Sequence, residues 1–269
     1  MRITVRRLTF ALFLVLASVP ARGALLDTSA YLANPSFSNP FDATSFVANP
    51  SFESPALTLY TDEKQDRCNY QTTVPSDWSG GWTDTGTNTS TYHYRPGVYG
   101  LKSNGGYFWD PTDGVNGAAL ILRNGSVLSS WMYQSLGTVG PEDIGLIFVA
   151  SIDSSIRTST ANHEAERRLS FRTDVTSGRN GDLGEMISMN LDTATRQSSY
   201  DDPWHTLVEW FQPTQEDLGK EVFLVFSAQD VSGAYNGQYQ FDNVRLSAVP
   251  EPGTICLVVM GAIGLLCCL

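Results

Sequence analysis

Between residues 117 and 246, short apolar runs alternate with stretches rich in Gly, Asn and Asp. GAALILR (117–123), SSWMYQSLG (129–137), GLIFVASID (145–153), RLSFRTDV (168–175), HTLVEWFQ (205–212), EVFLVFSAQD (221–230) and GQYQFDNVRL (237–246) each have the length and composition of a strand. In EVFLVFSA both parities are apolar, which predicts a strand covered on both faces. RLSFRTDV alternates instead. Leu169, Phe171 and Thr173 fall on one parity and Arg168, Ser170 and Arg172 on the other, the pattern of a strand with one solvated face. Turn signals recur every 8 to 15 residues or about that, and no amphipathic helical stretch of convincing length interrupts them. The pattern predicts an all-β fold, an antiparallel β-sandwich of the jelly-roll kind.

Composition agrees. The 269 residues are 42% hydrophobic but only 17% charged, enough for one substantial core and poor in the charged residues of a helical cytosolic enzyme. Upstream of the strand-rich region, ANPSFSNP (33–40) recurs as ANPSFESP (48–55). Two copies are too few for a solenoid. The second copy is therefore expected to open a domain spanning 48–247, and residues 24–47 to form an N-terminal extension.

Both ends of the chain differ in character from the body. Arg2, Arg6 and Arg7 precede the apolar run Leu8 to Leu16, and Ala21-Arg22-Gly23 sets small residues before a cut at Ala24. This predicts a signal peptide over 1–23 and the use of secretion machinery. At the other end, Val249-Pro250-Glu251-Pro252-Gly253 cannot be helix or inner strand, because two prolines fix φ and remove donors. An uncharged segment from Ile255 to Leu269 follows. As a helix its length is about 22 Å, short of the roughly 30 Å hydrocarbon core.

The order of signal peptide, body, Pro-Glu-Pro and apolar tail resembles the PEP-CTERM sorting signal of Gram-negative-type bacteria. The resemblance implies that residues 248–269 are a sorting segment read at Val249, Pro250, Glu251 and Pro252 by a membrane-embedded exosortase. It also implies a transient membrane tether through a short apolar helix, and a final place at the cell surface, outer membrane or extracellular matrix. The tail departs from the family pattern in ending Cys267-Cys268-Leu269 rather than in a cluster of arginines. With Cys256 also in the tail, Cys68 stands alone in the body, so no internal disulfide is expected.

The opening phrase NPSFESP (49–55) and the closing phrase QFDNVRL (240–246), with Trp82, YQSLG and EVFLVF between them, resemble the galactose-binding-like jelly rolls found among carbohydrate-binding modules. The resemblance implies that Glu53 and Asp242 meet at a structural Ca2+ ion. Two carboxylates on neighbouring terminal strands repel unless a hard cation joins them. The alternative is an exposed Glu53 and an Asp242 that accepts hydrogen bonds from a turn.

Candidate chemistry is sparse. In NHEAERR (162–168), Arg167 stands where a metalloprotease helix needs its second histidine, and no G-x-S-x-G elbow occurs. DPTDGVNG (110–117) and DVTSGRNGD (174–182) read as turns. No nucleophile or metal motif is found, so the body is expected not to be an enzyme. DWSGGWTDTGTNTSTYHYRPGVYG (77–100) is instead aromatic, polar and glycine-rich, without strand alternation. Flat rings suit the apolar faces of sugars. Trp78, Tyr92, Tyr94 and Tyr99, with Trp109 further on, are the carbohydrate-binding candidates, and extracellular polysaccharide the expected partner; the alternatives are rings that fill the core of a purely structural matrix protein, or a secreted polysaccharide-acting hydrolase. Without residues 1–23 and 251–269 the chain keeps 13 basic and 27 acidic residues, a charge near -14. Such a surface repels phosphate backbones, so no nucleic acid is expected among the partners.

Overall fold

The computed structural model describes residues 41–42, 47–54, 70–71, 74–84, 96–100, 111–114, 116–122, 127–156, 165–188, 193–195, 204–230 and 237–250. The strands among them are β1 (Phe41–Asp42), β2 (Tyr70–Gln71), β3 (Ser79–Asp84), β4 (Gly97–Gly100), β5 (Asn116–Leu122), β6 (Val127–Thr138) and β7 (Leu146–Ile156). There follow β8 (Ala165–Thr173), β9 (Gly178–Arg179), β10 (Glu185–Met186), β11 (Thr193–Thr195), β12 (His205–Phe211), β13 (Glu221–Asp230) and β14 (Gly237–Pro250). The first sheet runs β12-β7-β14-β5-β4-β2, with β1 also on β14. The second runs β10-β8-β13-β6-β3-β9, with β11 also on β8. Among the described residues the pairings are antiparallel except the short parallel contact of β3 with β9. The two sheets face each other across one main core, so the expected β-sandwich is the fold. The two terminal helices expected from the sequence lie outside the described residues. No helix among the described residues is long and apolar enough to cross a membrane.

The seven apolar runs become β5, β6, β7, β8, β12, β13 and β14 with shifts of a few residues at their ends. The central strand β13 is covered on both faces, as its double apolar parity predicts. Val222, Leu224, Phe226 and Ala228 join the main core, while Val225 packs with Trp131 and Val175 in a second cluster on the outer side of the sheet. On β8, Leu169 and Phe171 point into the core. Ser170 and Arg172, on the polar parity, are buried as well. The following segment folds back over them: Arg172 Nε donates to Ser170 Oγ at 2.9 Å, and Nη1 donates to the Gly184 carbonyl at 3.1 Å.

Strands β3 and β4 lie in a stretch that shows no alternation in sequence. Glycines in β3 and in β5, the neighbour of β4, are sites of close approach rather than turns. A Cβ on Gly81 of β3 would come within 2.5 Å of the Trp131 ring on β6, and one on Gly117 of β5 within 2.5 Å of the Tyr99 ring on β4. Glycine removes the period-2 signal at just these positions while allowing a large ring to lie on the backbone.

The sandwich exceeds its expected boundaries at both ends. Phe41 and Asp42, placed by the sequence in an extension, pair with Ala248 and Ser247. Strand β14 continues through Val249 and Pro250, which stand opposite Ile147 and Leu146 on β7. Pro250 is the last residue of that strand, where the missing N–H interrupts no inner ladder.

In the core, four rings join the opening phrase to the closing strand. Phe52 lies 5.3 Å from Trp78 and 5.6 Å from Phe226, Trp78 lies 5.3 Å from Phe226, and Phe226 lies 4.8 Å from Phe241, all as ring-centroid separations. Phe52, Phe226 and Phe241 are wholly buried.

Candidate functional site: an acidic clasp and an outer cleft

The opening phrase is held in an irregular shape by its own hydrogen bonds. Asn49 (φ 50°) and Phe52 (φ 57°) both adopt the left-handed region. Asn49 stabilises the bend through its side chain: Nδ2 donates to the Ser54 carbonyl at 2.7 Å, and Oδ1 accepts from the Ser54 N–H at 3.1 Å. Trp78 Nε1 donates to the Asn49 carbonyl at 3.2 Å. With Phe52 driven into the core, the next residue, Glu53, is turned toward the loop at 112–116. Its Oε1 accepts from the Asn116 N–H at 2.9 Å. A Cβ on Gly114 (φ 70°) would sit 2.0 Å from that oxygen, so only glycine leaves room for the carboxylate.

Asp242 reaches the same loop from the other end of the chain. The ladder between β14 and β7 is interrupted between Asp242 and Arg245, Asn243 adopts φ 55°, and the Val244 N–H donates to the Pro50 carbonyl at 3.1 Å. This irregularity leaves Asp242 wholly buried. Its Oδ2 accepts from the Asp113 N–H at 2.8 Å and from Thr112 Oγ1 at 3.1 Å. Glu53 and Asp242 thus grip one loop through amides three residues apart in sequence.

A third carboxylate stands across the ladder, since Asp153 of β7 is the register partner of Asp242. Thr112 Oγ1 lies 3.0 Å from Asp153 Oδ2 as well, so one hydroxyl hydrogen serves two carboxylates. Asp153 is otherwise supplied by Asn243 Nδ2 at 2.9 Å and Thr206 Oγ1 at 2.7 Å. Asp242 has one oxygen left over. Its Oδ1 is buried with no hydrogen-bond partner. Burial pushes its carboxyl up from 3.8 to about 7, against the opposing effect of the Asp113, Asn243 and Thr112 hydrogen bonds. Among the described residues no group of three or more His, Cys, Asp or Glu is placed to hold a metal ion. The donors offered here are hard oxygens: two gripping carboxylates, one with an unsatisfied atom. Such an arrangement can receive a hard cation, or hold a proton that leaves near neutral pH.

A second feature lies on the outer face of the second sheet. Tyr133 and Ser135 alternate along β6 with the core residues Met132 and Leu136. Ser79 of β3 stands opposite Tyr133, and Phe223 of β13 opposite Ser135. Together with Ala48, Asp77 and Gln134 they line an open cleft of about 450 Å³, within the roughly 300–1,000 Å³ of small-molecule sites. The Tyr133 and Phe223 rings meet edge to face, 5.5 Å between centroids and 85° between planes, and both are half-buried. Gln134 fixes one wall, donating from Nε2 to the carbonyls of Ala48 (3.1 Å) and Asp77 (2.8 Å) and accepting at Oε1 from the Ala48 N–H (2.8 Å).

Of the aromatic residues proposed from the sequence as sugar platforms, Trp78 is 6% exposed and packed in the main core, and Tyr99 is fully buried in a smaller cluster. Neither offers a ring face at the surface. Their polar, glycine-rich surroundings conceal that β3 and β4 are inner parts of the sheets. Tyr92, Tyr94 and Trp109 lie outside the described residues, as do Glu251 and Pro252. The cleft aromatics Tyr133 and Phe223 were not singled out, because each sits in a run read as core. Thr112 and Asp113 lie in a stretch read only as a turn, and Asp153 closes a strand run. The one sequence signal for them was the density of acids and glycines in 110–117.

No protein-family model and no curated protein matches the chain. Among solved structures, an apo-form cyclase from Fischerella sp. superposes with a TM-score of 0.53 at 18% identity, covering 76% of this chain and 95% of that one. The Stig cyclase Fisc from Fischerella sp. TAU, in complex with (3Z)-3-(1-methyl-2-pyrrolidinylidene)-3H-indole, gives 0.53 at 19% identity, with 76% and 96% covered. The CBM22-1 xylan-binding domain of Paenibacillus barcinonensis Xyn10C gives only 0.36 at 12% identity, with 64% and 87% covered. At these identities the likeness is one of fold. It nonetheless overturns the expectation of a body that is not an enzyme. That expectation rested on missing sequence motifs, and sandwiches of this fold include cyclases.

The raised Asp242 carboxyl has a direct consequence for stability. Between about pH 4 and about pH 7 the folded protein retains a proton that the unfolded chain has lost, so this group's contribution declines as pH rises and levels off above about 7. In cation-free buffer, wild type loses up to roughly 4 kcal/mol relative to Asp242→Asn across that window. Chemical denaturation of both proteins at stepped pH measures the gap, and a gap that stays constant contradicts the buried, proton-retaining carboxyl.

Proposed function

We propose that this protein is an exported β-sandwich of the cell surface or extracellular matrix that associates with polysaccharide through the outer cleft. The observation that carries this reading is the pairing of two half-buried aromatic rings with serine hydroxyls in an open cleft on a rigid sheet. The rings supply flat apolar area for sugar faces, and Ser79 and Ser135 supply hydroxyl partners. Export rests on the sequence character of residues 1–23 and 249–269. In this reading the secretion machinery delivers the chain and an exosortase-type enzyme reads Pro250-Glu251-Pro252, with the apolar tail as a transient tether.

The clasp has a structural part in this reading. Glu53 and Asp242 hold a calcium ion that secures the 112–116 loop, with backbone carbonyls and water completing an all-oxygen shell. The buried Asp242 Oδ1 favours this assignment, since a cation gives that atom a partner and lets the carboxyl ionise. Binding therefore releases a proton below about pH 7.

Three outcomes test these points. Calcium raises the melting temperature of the wild-type chain, by the equivalent of about 2.7 kcal/mol at a hundredfold excess over Kd. The rise is absent in Glu53→Gln and Asp242→Asn, and a calcium response equal in all three removes the site. On a panel of insoluble polysaccharides the chain is retained, and Tyr133→Ala with an unchanged melting temperature is not; retention that ignores Tyr133 moves the contact elsewhere. In fractionated cells the wild-type chain reaches the surface and Glu251→Ala stays with the membrane; identical distributions dismiss the sorting assignment.

A further inference from the structure

The charge of the cleft narrows its ligand. Of the seven residues that line it, Asp77 alone is charged, and none is basic. Asp77 is exposed, adopts φ 68°, and has its carbonyl fixed by Gln134 Nε2 at 2.8 Å, so its backbone is held while its carboxylate meets no described residue. A second carboxylate stands beside the cleft, where Ser135 Oγ donates to Glu221 Oε1 at 2.6 Å. The cleft also holds the Tyr133 and Phe223 rings, whose faces attract cations as well as sugar C–H groups. An anionic glycan would meet two acids at the cleft and a body carrying a charge near -14. A neutral glycan would use the rings and serines and leave Asp77 without a role.

Resting on the reading of this cleft as a glycan site, we propose that it selects glycans bearing protonated amino groups, with Asp77 as the anion that pairs with the amine. Each recognition element then has a chemical counterpart: ring faces for the sugar ring, Ser79 and Ser135 for hydroxyls, and Asp77 for the ammonium. Because Asp77 is exposed, the pairing is screened by salt, and it contributes selectivity more than raw affinity.

The test is calorimetry of the full-length chain against three probes: a β-1,4-linked glucosamine hexamer, its fully N-acetylated counterpart and an oligogalacturonate, at mildly acidic pH. The glucosamine hexamer is expected to bind about tenfold more tightly than the acetylated one, a difference of about 1.4 kcal/mol. The preference shrinks as salt rises, and the oligogalacturonate binds least. Asp77→Asn, an exposed substitution that leaves the melting temperature unchanged, abolishes the preference without weakening the acetylated hexamer. Equal affinity for the two hexamers, or a preference that survives Asp77→Asn, overturns the amine assignment while leaving the cleft a glycan site. Failure of all three probes, together with no retention on any polysaccharide, overturns both.

Discussion

The contact among Phe52, Trp78, Phe226 and Phe241 governs the rest of the structure. Phe226 comes from the centre of one sheet and Phe241 from the centre of the other. Phe52 and Trp78 bring in chain segments that are not themselves in the middle of either sheet. Rings of this size bury 150–250 Å² each and prefer tilted or edge-on contacts. Those are the geometries seen here, with interplanar angles of 35° to 68°. Once Phe52 is committed to that cluster, the chain on both sides of it has little freedom. Asn49 must bend, Trp78 must cap that bend through its indole N–H, and Glu53 must emerge beside the loop that Asp242 also reaches. The hydrophobic contact determines where the acids stand.

That placement carries an electrostatic cost. A wholly buried aspartate with an oxygen lacking any partner is disfavoured in its charged form. The fold answers partly with backbone N–H groups of Thr112, Asp113 and Asn243 and one hydroxyl, and that hydroxyl is shared with Asp153. The clasp is thus a site whose protonation bears on the seam between the first and last parts of the domain. Its stability belongs to the long-range architecture rather than to any one strand.

The outer face of the second sheet obeys a different rule. At Val225 the segment 174–184 covers it, with Val175 and Leu183 against Val225 and Trp131. At Tyr133 and Phe223 that cover stops, and two aromatic rings are left half open beside Asp77, Ser79 and Ser135. A cleft of this kind is a boundary effect: core-like residues continue along the strand beyond the point where the covering segment turns away.

How much of this the sequence determined can be judged residue by residue. Period-2 patterning and turn composition are local properties, and they identified seven strands, the sandwich class and the two-faced burial of β13. The opening and closing phrases were also legible, each with one acid beside an aromatic residue, Phe52-Glu53 and Phe241-Asp242. Tertiary structure alone decided which rings are buried. Trp78 and Tyr99 stand in polar, glycine-rich sequence yet lie inside, because Trp78 packs against Phe52 and Phe226 and Gly117 leaves room for the Tyr99 ring on the backbone. It also decided that Asp153 faces Asp242, a matter of strand register between segments about ninety residues apart. Local pattern sets what each segment can be, whereas long-range packing sets what each side chain meets, and sites are made of meetings.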